Sequence, residues 1–147
     1  MKIVSSLTLV VAVGWILGCS TVPDPQVTNV PLNATSTSVG SIAQTTMMPS
    51  GNATVFWFAI KGKTMGSALP GRLAAYIYPG SCASLGSKPA YDLNDGPNAR
   101  FYSPSSLQYF YKSAPVAVDT LRTGGYALVV RENPADGNQN AFCGDLS

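Results

Sequence analysis

Three residues stand out for the chemistry that their types and spacing permit. Tyr76 and Tyr78 are two apart, so in an extended strand both phenols fall on one face. Arg131 ends a second β-rich run, Tyr126 to Arg131, which is the natural companion of the first. Two tyrosines and an arginine can stack, donate hydrogen bonds and grip a carboxylate or phosphate, and such residues are enriched at protein-binding hot spots. The same three residues also have a plain packing explanation. In that reading the rings fill space across strands and Arg131 satisfies Glu132 or Asp136.

Other constellations are excluded by what the chain lacks. It contains no histidine in 147 residues, which removes the commonest general base and the commonest imidazole ligand together. Seven carboxylates are available, and no motif pairs two of them for acid–base work. Ser81 lies on a turn, Gly80-Ser81-Cys82, without the nucleophile-elbow pattern and without a histidine base. The glycines near Gly137 form no phosphate-cradling repeat. The formal net charge of +2 falls once Met1-Lys2 is removed, so no basic field remains for nucleic acid. These absences predict no enzyme, no bound metal or cofactor, and no nucleic-acid partner.

The N-terminus sets the location. Lys2 is followed by an almost unbroken apolar run, Ile3 to Ile16, ending at Leu17-Gly18-Cys19. A run this short with a polar, Pro-rich sequel is a signal peptide over 1–18, not a spanning helix. Its end resembles the lipobox of bacterial lipoproteins, in which Cys19 is acylated and becomes the first mature residue. Ile16 and Leu17 depart slightly from the usual pattern, and an ordinary secretory signal is the alternative. The resemblance implies anchoring in the membrane through more than one lipid chain, which suffices for stable attachment. Ser20 in the next position implies sorting to the outer membrane. Residues 19–39, rich in Pro, Ser, Thr and Asn, read as a flexible tether.

From Gly40 onward the chain reads as one all-β domain, 40–147. Strand-like runs occur at Ser41–Met48, Ala53–Ile60, Leu73–Tyr78, Leu107–Lys112, Val116–Leu121, Tyr126–Arg131 and Asn140–Cys143. Turn signals such as Pro49-Ser50-Gly51-Asn52 and Thr123-Gly124-Gly125 separate several of them. Ala53–Ile60 is apolar at nearly every position, which predicts cover on both faces. Leu73–Tyr78 alternates, with Leu/Ala/Ile on one side and Ala/Tyr/Tyr on the other. No helical period is convincing. Short strands so punctuated predict an antiparallel Greek-key β-sandwich or barrel. With Cys19 spent on lipid, an exported chain has one pairing left, a Cys82–Cys143 disulfide. Two lone thiolates could not complete a four-ligand metal site.

The run Ala74-Ala75-Tyr76-Ile77-Tyr78-Pro79-Gly80-Ser81-Cys82, then Ala127 to Gly137, then Ala141-Phe142-Cys143-Gly144, resembles copper/zinc superoxide dismutases. It is still more similar to the superoxide-dismutase-like domains of small exported bacterial proteins. In that family a His-x-His strand precedes the first disulfide cysteine, and a Val-Val-His strand precedes an Asp- and Gly-rich loop. The motifs cover about the C-terminal half of the chain. Carried over residue by residue, the copper positions are Tyr76, Tyr78 and Arg131. Copper in such a site wants neutral imidazole nitrogens, whereas a phenol must first ionise and a guanidinium repels the metal. Asn138-Gln139-Asn140 stands where the family's electrostatic-loop arginine would be. The resemblance thus implies a superoxide-dismutase-like scaffold without its metal. The expected role is a protein-binding or structural module of the cell envelope, with an envelope or host protein as partner. An inhibitor of a host or competitor enzyme is the alternative, and residual superoxide chemistry through an unconventional metal comes third.

Overall fold

The computed structural model describes residues 26–62, 73–95, 100–102, 107–132 and 137–147, with the backbone alone at 100–102. In chain order they form β1 (Thr28–Ala34), a 3-10 turn at Ser36–Ser38, β2 (Ile42–Ser50), β3 (Ala53–Lys61), β4 (Leu73–Ser81), β5 (Ser84–Leu85), β6 (Tyr91–Asp92), β7 (Arg100–Tyr102), β8 (Leu107–Ala114), α1 (Val118–Thr123), β9 (Tyr126–Glu132) and β10 (Asn140–Asp145). All strands join one antiparallel sheet in the order β5-β4-β9-β10-β1-β2-β3-β8-β7, with β6 also on β4. The sheet curls into a half-barrel around its own apolar face.

Period-two alternation explains which side chains go inside. Val30 and Leu32 of β1, Phe56, Phe58 and Ile60 of β3, Ile77 of β4, Leu128 and Val130 of β9 and Phe142 of β10 all meet in the hollow. Phe58 stacks on Phe110 of β8 with centroids 4.6 Å apart and planes 9° from parallel, an offset contact that adds to area burial. Buried hydroxyls are satisfied locally: Thr45 Oγ1 donates to the Trp57 carbonyl and Thr54 Oγ1 to that of Val116. No buried side-chain polar atom among the described residues lacks a partner.

The structure corrects the sequence reading in three places. Residues 28–38, assigned to the tether by composition, form β1 and the 3-10 turn, so the sheet begins at Thr28 and not at residue 40. Thr28–Leu32 pairs with β2, while Asn33 and Ala34 pair with β10, so Pro31, which has no N–H to give, lies outside the stretch paired with β10. Second, β3 is covered on one face: Thr54, Phe56, Phe58 and Ile60 are buried, while Trp57 is 38% exposed. Third, Val118–Thr123 is a short helix, where Val116–Leu121 suggested a strand. Val118 and Leu121 are spaced to point inward together, and Gly124 N–H donates back to the Thr120 carbonyl to end the turn.

Two features fix the half of the sheet that carries the tyrosines. Gly80 adopts φ +98° at the end of β4, just before the turn into β5, and a Cβ there would collide with the Ser84 carbonyl oxygen. Gly144 lets β10 lie close on β1, since a Cβ would come within 2.6 Å of the Pro31 carbonyl oxygen. Beyond that turn the chain runs back along β4 through β5 and β6. There Asn94 acts as a strand surrogate, accepting from Ala75 N–H at 3.0 Å and donating to the Ala75 carbonyl at 3.1 Å. Lys112, buried on the concave side of β8, reaches across and donates to Asn94 Oδ1 at 3.1 Å.

Candidate functional site

On the convex side of β4, β9 and β10 the outward residues form a second, smaller cluster. Tyr78, Ala127, Val129 and Cys143 are buried in it, and Tyr76, Cys82 and Leu85 pack against them. Cys82 and Cys143 are joined by a disulfide with Cα atoms 5.8 Å apart, as the cysteine count predicts. The bond ties the β4–β5 turn to β10. Cys82 N–H also donates to Asp145 Oδ1 at 2.7 Å, so the turn is held twice.

The three residues singled out in the sequence meet here. Arg131 places its guanidinium carbon 5.5 Å from the Tyr76 ring centroid and 5.6 Å from that of Tyr78. Its Nη2 donates to Tyr78 Oη at 2.9 Å and its Nε to Asn140 Oδ1 at 2.8 Å. No ion pair of Arg131 with Glu132 occurs among the described residues and Asp136 lies outside them, while the burial of Tyr78 in the cluster accords with cross-strand packing of the rings.

Asn140 is the member that sequence reasoning missed. A β-bulge makes it one: Asn140 pairs with Arg131 and Phe142 with Val130, leaving Ala141 as the extra residue. Without that insertion, alternation from Cys143 would turn Asn140 inward. Thr35 holds the bulge through its N–H to the Ala141 carbonyl and its hydroxyl to the Asn140 carbonyl. Nothing in the local sequence announces this, because the holding residue lies more than a hundred positions away.

The electrostatics are mixed. Burial pushes the Tyr76 phenol above its ordinary value, Asp92 pushes the same way, and Arg131 opposes both. Smaller contributions from Tyr78 and Asp95 add to the rise. Tyr76 thus stays a neutral hydrogen-bonding group at physiological pH.

A copper ion, which the family resemblance would put among Tyr76, Tyr78 and Arg131, does not fit these residues. The guanidinium itself lies against both rings and hydrogen-bonds the Tyr78 hydroxyl that would have to bind metal. Both cysteines near the cluster are consumed by the disulfide. Cys19, the expected lipidation site, lies outside the described residues, as does the rest of 1–25. The chain matches no protein-family model, no curated protein and no solved structure.

Proposed function

We propose that this chain is a non-catalytic lipoprotein of the bacterial cell envelope, anchored through Cys19, whose sheet domain binds a protein partner through Tyr76 and Arg131, with the buried Tyr78 holding the guanidinium in place. The observation that carries the reading is the guanidinium of Arg131 held against two tyrosine rings on a convex sheet face. Those residue types dominate protein-binding hot spots, and here they are pre-positioned by the strands and by Asn140.

The scaffold reading, a superoxide-dismutase-like Greek key without metal, draws support from the chain path. β10 returns beside β1 of the β1–β2–β3 meander, β3 pairs with β8, and β4 pairs with β9. The two tyrosines and the arginine fall together on adjacent strands, beside the disulfide, as the resemblance implies for its three copper histidines.

A photo-crosslinker installed at Tyr76 in the producing cell, compared with the same crosslinker at the distant Trp57, tests the binding role. A discrete adduct at position 76 that vanishes with Arg131→Ala is expected, with the thermal transition of that variant little moved. Loss of stability in step with loss of the adduct would sink the binding role. Titration with Cu²⁺ and Zn²⁺ alongside a superoxide assay tests the scaffold: stoichiometric copper with activity would overturn the non-catalytic reading.

A further inference from the structure

We infer that Arg131 is the docking point for a single carboxylate of the partner polypeptide, an inference that rests on the binding role proposed above. The guanidinium is held by neutral groups only, Asn140 Oδ1 at Nε and Tyr78 Oη at Nη2. No carboxylate among the described residues is paired with it, and its Nη1 side makes no hydrogen bond there. An arginine fixed at two N–H groups has already given up most of its rotamer freedom, so capturing an anion costs little further ordering. It is half-buried against two rings, where a charge-assisted contact is stronger than on an open surface.

The surroundings select the kind of anion. Asp92 of β6 stands directly opposite Tyr76 of β4 in register, and its carboxylate is fixed by the Asn94 backbone N–H at 2.9 Å and side-chain amide at 2.6 Å. With Asp95 it forms an acidic flank near Tyr76, whose effect is felt in the raised phenol. A doubly charged phosphate meets about twice the repulsion there that a singly charged carboxylate does. A planar two-oxygen acceptor also matches the open side of the guanidinium fork, and the Tyr76 face offers apolar surface for the methylene stem behind it. The same flank favours a basic neighbour of that carboxylate.

The test uses the full chain, labelled with ¹⁵N and followed at the Arg131 Nε–Hε resonance and the backbone amides of Tyr76 and Glu132. Three probes are titrated: N-acetylglutamic acid α-amide for a side-chain carboxylate, N-acetylglycine for a chain-terminal one, and inorganic phosphate. A saturable shift with a carboxylate is expected, about tenfold tighter than with phosphate, and the tighter of the two carboxylates identifies the source. Arg131→Lys, which keeps the charge and loses the fork, should weaken the backbone-amide response about tenfold. Absence of a saturable carboxylate shift, phosphate binding as tight, or undiminished binding by Arg131→Lys would each overturn the inference. If the crosslinked partner is lost with Arg131→Ala while no carboxylate binds, the binding role survives and the carboxylate does not. Carboxylate capture with no dependence of any partner on Arg131 gives the reverse.

Discussion

The convex face of the sheet has two halves, and they treat similar side chains differently. Over β4, β9 and β10 the outward Tyr78 is 6% exposed, whereas over β2, β3 and β8 the outward Trp57 is 38% exposed and Ile42 is 72% exposed. Trp57 leans on Tyr109 at 6.3 Å with the planes tilted by 48°, a cross-strand contact open to water on one side. Both halves obey the same alternation. The difference lies in the chain beyond β4, which doubles back, is tied to β10 by the disulfide and brings Leu85 against the cluster that contains the tyrosine. Alternation decides which face a residue joins; whether that face is covered is decided by connections distant in sequence.

The sharpest way to break this contrast is to remove the tie. Replacing Cys82 and Cys143 together by alanine should cost about 2–5 kcal/mol, read as a lower melting temperature. Hydrogen exchange should then rise first in β5, the end of β4 and β10, and leave the β2–β3–β8 ladder protected. Uniform exchange across both halves would mean that the tie does not distinguish them. Next in size, Tyr78→Ala should cost about 3 kcal/mol in denaturant unfolding, because a large buried ring is lost and Arg131 loses an acceptor. Trp57→Ala should cost under about 1 kcal/mol, and equal losses would erase the distinction. The smallest effect is with pH. Tyr76 is raised in the folded state, so its contribution is fully present below about pH 10 and is lost as pH climbs from there through the folded value. Tyr76→Phe should therefore flatten the alkaline fall in stability, and an unchanged fall would assign it to other groups.

Much of the fold was legible. Tyr76 and Tyr78 on one face, Leu73 and Ile77 on the other, β9 as the partner strand and the cysteine pair all follow from period and count. Three errors have separate causes. Val30 and Leu32 alternate inward among so many Asn, Thr and Pro that composition hid the period. Trp57 is apolar, which suggests cover, but alternation places it outside. Val116 and Val118 mimic a strand spacing, while Val118 and Leu121 carry the helical one. In the candidate site, Tyr76, Tyr78 and Arg131 were readable from spacing; Asn140 and Asp92 were not. One depends on a bulge and the other on a two-residue strand that pairs back on β4.

The carboxamide of Asn94 has a consequence for how these molecules behave in company. By occupying both the N–H and the carbonyl of Ala75, with β5 and β6 taking further positions along the same margin, it leaves that border of the sheet with little to offer a neighbouring chain. Copies held side by side at high density cannot zip together through β4 without first displacing an amide that Lys112 holds in place.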